Sequence, residues 1–181
     1  QNASRIYRVV TQSKQSTGYS HTTGVPVPMP EAVKNFFPEM EKVTFVSYQT
    51  SGLVSIEDGS GKANYFPEES GVVYIDSMFY QIFDRQWLRG DPSRALREPN
   101  TVVLSQRFAR KYFNTDEAIG KSFRLNNQYD LKVSGVVEDY PDNTHFPFDL
   151  MMSYETVRAA KDKDGGWGGI WSDEQCYVLV A

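Results

Sequence analysis

The chain has 181 residues, enough for one compact domain or two small ones with a core that needs no disulfide staples. Its 40% hydrophobic and 23% charged residues are those of a globular protein, and a net charge of −4 leaves no basic footprint for nucleic acid or for broad docking on an anionic membrane surface. A single cysteine, Cys176, excludes an internal disulfide, and the longest apolar run, six residues from 176 to 181, falls far short of the ~20 that span a bilayer.

In chain order, Ile6, Tyr7, Val9 and Val10 predict a first strand, and the polar, Ser/Thr-rich residues 12–23 read as a mobile loop. Pro26, Pro28 and Pro30 lead into a helix, with Pro30 suited to the first turn, where its missing amide costs nothing. Val33, Phe36 and Phe37 form the apolar side of that helix and Pro38 ends it. Residues 43–48 read as a strand with Val43, Phe45 and Ser47 on one face. Leu53, Val54 and Ile56, a turn at 58–61, and Ala63, Tyr65 and Phe66 read as a hairpin. Residues 72–75 form another strand, after which Asp76 or Ser77 is placed to cap a short helix carrying Met78, Phe79, Ile82 and Phe83. Arg89-Gly90-Asp91-Pro92 is a turn.

The best-specified stretch is 100–149, where local signals agree. Val102, Val103 and Leu104 are of strand type, and Ser105 suits an N-cap because its hydroxyl can accept from a free amide of the first turn. Phe108 and Tyr112 stand four apart and share a helix face, with Arg107, Arg110 and Lys111 largely off it. Gly120 breaks the chain before Phe123 and Leu125, which alternate with Arg124. Asn126-Asn127 signals a turn, and Leu131, Val133 and Gly135 alternate with Lys132, Ser134 and Val136, completing a hairpin. Residues 150–152 are strand-like, Ser153 can cap a helix over 154–161, a glycine loop over 165–169 carries Trp167, and 176–180 is the last strand. The mixed order predicts α+β architecture rather than a doubly wound parallel sheet.

No set of residues assembles an active site. Arg89-Gly90-Asp91 matches an integrin-binding tripeptide, but a turn before Pro92 accounts for it. Gly59-Ser60-Gly61-Lys62 fails the phosphate-loop spacing, because Ile56 stands where the first glycine belongs and Ala63 where the hydroxyl belongs. Asp142, His145 and Asp149 are metal-ligand types close in sequence, but no second histidine stands near and a turn with packed aromatics explains them. Cys176 lies in an apolar strand pattern and reads as a buried, inert thiol. Catalytic, metal and cofactor-binding residues are therefore all expected to be none. Trp167 and Trp171 flank Gly168-Gly169. Exposed, they would form a partner-contact site. Buried, the favoured reading for so large a side chain, they would close one end of a lobe.

Taken together, several segments resemble the periplasmic core domain of MacB-like ABC transporter permeases, the group that includes FtsX-like and lipoprotein-releasing permeases. They are Arg5-Ile6-Tyr7-Arg8-Val9, residues 36–43, Phe79-Tyr80-Gln81-Ile82-Phe83-Asp84, Leu88-Arg89-Gly90-Asp91-Pro92 with Ala95-Leu96, residues 99–105, Ala109-Arg110-Lys111-Tyr112-Phe113, Ile119-Gly120-Lys121 and residues 133–139. Their order and spacing carry the resemblance. It implies two lobes: a membrane-proximal βαβ-type (porter-like) lobe from residues 1–70 and 141–181, and an inserted mixed (sabre-like) lobe over 71–140. It also implies a non-enzymatic domain excised from a membrane protein on the periplasmic face of the bacterial inner membrane, between flanking transmembrane helices. ATP hydrolysis would reside in a separate cytoplasmic module. Expected partners are a second or related permease copy, the ATPase, and a periplasmic or outer-membrane protein or lipoprotein. The competing reading is a ligand- or lipoprotein-binding receptor that transmits no force.

Overall fold

The computed structural model describes residues 3–49, 51–141, 143–164 and 166–181. In chain order the strands and helices are β1 (Ile6–Val9), β2 (Thr11–Gln15), β3 (Gly18–Thr22), α1 (Met29–Phe36), β4 (Met40–Gln49), β5 (Gly52–Glu57), β6 (Ala63–Glu68), β7 (Val72–Ile75), α2 (Phe79–Ile82), β8 (Trp87–Gly90), β9 (Thr101–Ser105), α3 (Gln106–Phe113), β10 (Ser122–Leu125), β11 (Tyr129–Val137), β12 (Leu150–Ser153), α4 (Arg158–Asp164) and β13 (Glu174–Val180). The architecture is mixed α+β, mostly strand with few helices. No helix among the described residues is long and apolar enough to cross a membrane.

The contacts gather into two compact units. The first contains Gln1–Ser47, Met78–Asp84 and Val157–Ala181; the second contains Tyr48–Ser77 and Arg85–Thr156. The division follows hydrogen bonding. β5 and β6, which lie within residues 1–70, pair with each other, β5 also pairs with β10, and both belong to the second unit. Residues 78–84, within 71–140, belong to the first.

In the first unit β13 is the central strand of an antiparallel ribbon, with β1 on one side and β4 on the other. Residues 43–47 of β4 are buried on both faces, not one alternate face. Val25, Val33, Val43, Phe45, Phe79, Ile82, Cys176 and Leu179 are among its buried side chains; the Phe83 ring meets Tyr177 edge on and Phe79 at a tilt. Residues 11–22 form a two-stranded hairpin, not a mobile loop. Thr11 faces Thr22 and Ser13 faces Ser20 across it, pairs that hydroxyl-bearing side chains favour on a solvated sheet. In α1, Pro30 sits in the first turn as expected, but of the three apolar residues only Val33 is buried; Phe36 and Phe37 face solvent. The N-cap of α2 is Met78, with no side-chain cap hydrogen bond, so neither Asp76 nor Ser77 takes that place.

In the second unit the strand order is β7-β12-β9-β11-β10-β5-β6, with β8 also on β11. β9 and β11 run parallel, and α3 follows β9 directly. Ser105 caps α3, accepting from the Phe108 amide at 3.3 Å, and Asn114 closes it in the left-handed region. Phe108 and Tyr112 are buried together, and the Tyr112 ring meets Phe66 and Phe123 at 5.3 and 5.6 Å between centroids. The β10–β11 connection is a three-residue loop, residues 126–128, in which Asn126 and Asn127 both take positive φ and the Gln128 amide donates to the Leu125 carbonyl at 3.0 Å. Ser153 donates to the Leu96 carbonyl at 2.9 Å; a 3₁₀ turn at Tyr154–Thr156 precedes α4.

Candidate functional site

The sequence singled out Trp167 and Trp171, and the structure holds both at the surface of the first unit, 59% and 61% exposed. The buried reading is overturned, for a local reason. The loop between α4 and β13 is anchored by backbone, which leaves the indoles without cover. Trp171 bridges Val25, its carbonyl accepts from the Glu174 amide at 3.0 Å, and a Cβ on Gly24 would come within 2.1 Å of that carbonyl oxygen. The backbone is therefore pinned at a spot only glycine permits. Ile170, between the two, is also exposed, so the loop presents two indoles and an aliphatic chain to solvent. Gly165 lies outside the described residues.

Beneath this loop the Glu174 side chain is 1% exposed. Its Oε1 accepts from Ser47 Oγ at 3.0 Å and pairs with Lys161 Nζ. Such a buried carboxylate needs its partners, because an unpaired buried charge is strongly destabilising.

The opposite end of the same ribbon gathers the two ends of the described chain. Ile6 pairs with Leu179, and Arg5 Nε donates to the Val180 carbonyl at 2.8 Å. Arg5 also pairs with Glu41 at 2.5 Å, and the Ala181 amide donates to the Glu39 carbonyl at 3.1 Å. Seven residues of β13 separate this end from Trp171, a distance of roughly 20 Å at strand rise.

The other candidates of the sequence are spoken for by local structure. Arg89 Nε donates to Glu117 at 2.6 Å, while Asp91 accepts from the Ser93 amide and hydroxyl. Those bonds hold the Asp91 carboxyl below its usual range, the Ser93 hydroxyl first among the causes. Asp58 does the same for the β5–β6 turn, accepting from the amides of Ser60 and Lys62 and from the Ser60 hydroxyl. Asp149 is buried; its Oδ1 accepts from Ser105 Oγ and Arg107 Nε, each at 2.6 Å. Asp142 lies outside the described residues. Among the described residues no three His, Cys, Asp or Glu side chains group as a metal site. Cys176 is a buried free thiol. A groove of about 640 Å³ on the second unit runs past Leu53, Tyr65, Phe123, Glu57, Arg124 and Asp130, a lining that mixes apolar and charged groups.

The family model of the MacB-like periplasmic core domain matches residues 1–181. The chain belongs to this family. It is thus a periplasmic domain of a MacB-like ABC transporter permease. Three solved structures share the fold. A domain of a protein described as a permease, from Porphyromonas gingivalis, is similar at 22% identity and TM-score 0.78, over 98% of this chain and 73% of that one. The periplasmic region of MacB from Actinobacillus actinomycetemcomitans is similar at 16% identity and TM-score 0.61, over 87% of this chain and 65% of that one. The extracellular domain of the noncanonic ABC-type transporter YknZ from Gram-positive bacteria is similar at 10% identity and TM-score 0.62, over 97% of this chain and 83% of that one. None of the curated proteins matches.

Within this MacB-like domain, much of the segment set that carried the resemblance coincides with strands and a helix: Leu88-Arg89-Gly90 in β8, Thr101–Ser105 as β9, residues 109–113 in α3 and 133–137 in β11. What the sequence reading missed is the exposure of Phe36 and Phe37. Helical spacing reports a shared face, not whether anything covers it.

Proposed function

We propose that this domain is the extracytoplasmic lever of its permease, seated on the periplasmic face of the inner membrane. It would take up motion from flanking membrane helices, driven by ATP hydrolysis in a separate cytoplasmic module. It would deliver that motion to a periplasmic substrate or partner, or to a second permease copy. The observation that carries this reading is the pairing of Ile6 with Leu179. A pull or twist applied to β1 or to β13 enters the same three-stranded ribbon, and packed interiors pass displacement on instead of absorbing it. On this reading the first unit is the membrane-proximal lobe and the second the inserted one, with Trp167 and Trp171 as the contact for the outer partner.

The test uses the whole transporter, with residues 1–181 either present or replaced by a short flexible linker. The expected result is that ATP hydrolysis continues while transport or extraction is lost. Transport that survives the replacement overturns the lever. A receptor that transmits no force would instead reveal itself by a melting temperature raised by envelope lipids or peptides, since a ligand that binds only the folded state stabilises it.

A further inference from the structure

α4, the helix that leads into the indole loop, is weak by its own sequence. It runs for seven residues, well below the ~12–15 at which an isolated helix becomes marginal. Its first turn holds Arg158 and no acidic residue, the reverse of what the helix dipole favours. Arg158, Ala159 and Ala160 are exposed, so they bury no apolar stripe. Tertiary attachment must therefore hold it. Val157 is buried just before the helix, and one turn later Lys161 is half-buried and paired with Glu174.

Glu174 is a junction. It stands 13 positions beyond Lys161, as the first residue of β13. Its amide bonds Trp171, its carbonyl accepts from the Val25 amide at 2.9 Å, and its Oε1 accepts from Ser47, its register partner on β4. The ion pair is unequal. The Lys161 side chain is 35% exposed, so water can take over its ammonium, whereas the Glu174 side chain is 1% exposed. Glu174 Oε2 is buried with no hydrogen-bond partner among the described residues. Departure of Lys161 is thus opposed by the burial of a carboxylate left without its cation. The two indoles differ in what else holds them. Trp171 is fixed by its bridge to Val25 and by the close approach of Gly24. Trp167 sits inside a turn closed by the Gly169 amide on the Gly166 carbonyl at 3.2 Å, on the α4 side of the loop.

We propose that the Lys161–Glu174 pair is a latch that positions Trp167 beside Trp171, by tying α4 to the start of β13. With the pair broken, α4 and residues 166–170 open locally, while Trp171 and the β1–β13–β4 ribbon keep their place. Segments with few buried apolar contacts are the ones that open below global unfolding. Lys161 and Glu174 are positioning residues: they act through the placement of Trp167. The use of that placement rests on the reading that the indoles are the outer contact; the latch itself does not.

The test is amide exchange followed by mass spectrometry on the intact permease. Lys161→Met removes the cation and keeps the stem. Lys161→Met with Glu174→Gln removes both charges, keeps an acceptor for Ser47 and leaves no lone buried carboxylate, so it carries the test if the single variant folds poorly. Lys161→Arg keeps the pair. In both Met variants, exchange over residues 158–170 is expected to quicken about tenfold, a figure that allows for the partial exposure of Lys161, while β1, β4 and β13 exchange as in wild type. Lys161→Arg should exchange like wild type throughout. Unchanged exchange over 158–170 in both Met variants overturns the latch. Acceleration shared equally by β1 and β13 also overturns it, since the pair would then support the whole unit and not the loop. The readout needs no partner, so loss of the contact reading, which Trp167→Ala tests separately, would leave this result intact.

Discussion

Ile6 stands directly opposite Leu179 in the antiparallel pairing of β1 with β13. The start of the first strand and the end of the last are thus one rung of a single ladder, and Leu179 is fully buried beneath it. Leu179→Ala removes apolar packing where the chain ends are held together. It is expected to cost about 2–5 kcal/mol, the range for truncating a buried leucine. Tyr7→Ala, one residue along β1 but exposed, should stay within about 0.5 kcal/mol of wild type. Urea unfolding of the three proteins checks both, and amide exchange at Ile6 should quicken in Leu179→Ala alone.

Gly135 of β11 is held open for an indole. A Cβ there would stand 2.3 Å from the Trp87 ring, and Val136 and Val137 of the same strand pair with β8, which carries Trp87. Gly135→Ala should destabilise by about 1–3 kcal/mol through overpacking. Trp87→Ala removes the obstacle, so the double variant should be less destabilised than the sum of the two single ones. A double-mutant cycle by thermal unfolding measures that coupling, and strict additivity would remove the proposed clash.

The parts of the fold legible in the sequence are those whose signal is local. Asp58 with two following glycines specifies the β5–β6 turn, Asn126-Asn127 specifies the next hairpin, and Ser105 caps α3, because each residue satisfies its own neighbours. The β2–β3 hairpin was not legible, since both its faces are polar and no alternation marks a strand. β8 was not, because four residues with a terminal glycine resemble a turn until Gly135 makes room for Trp87. The exposure of Phe36, Phe37, Trp167 and Trp171 is a tertiary outcome. Residue type favours burial for all four, and only the placement of their backbones against β4, β13 and Val25 decides otherwise.

Trp167 and Trp171 should be separable from stability. Because both indoles are solvated, Trp167→Ala and Trp171→Ala are expected to shift unfolding by no more than about 0.5 kcal/mol each. If they are the outer contact, capture of envelope partners by the intact permease should fall, since exposed Trp ranks among the commonest binding hot spots. Pull-down beside thermal unfolding checks this; unchanged capture by both variants removes these residues from the contact.

Stability should also fall at high pH, through tyrosines of the second unit. Burial first, then a hydrogen bond to the Glu68 carboxylate, pushes the Tyr112 phenol well above its ordinary value; burial likewise raises Tyr74 and Tyr140. A group whose folded pKa is raised favours the native state fully below its unfolded pKa and loses that contribution as pH rises beyond it. For tyrosine the loss begins near pH ~10, where the unfolded chain ionises and the folded one does not. Tyr112→Phe gives up the hydrogen bond to Glu68, which is 2.8 Å long, and should cost about 1 kcal/mol at neutral pH. Because the variant no longer titrates at this position, the gap between it and wild type should narrow as the pH passes about 10. Lysines titrate in both proteins and cancel in that difference. Melting temperatures of the pair from neutral to strongly alkaline pH measure it, and a gap that stays constant would show that the buried phenol contributes nothing to the alkaline loss.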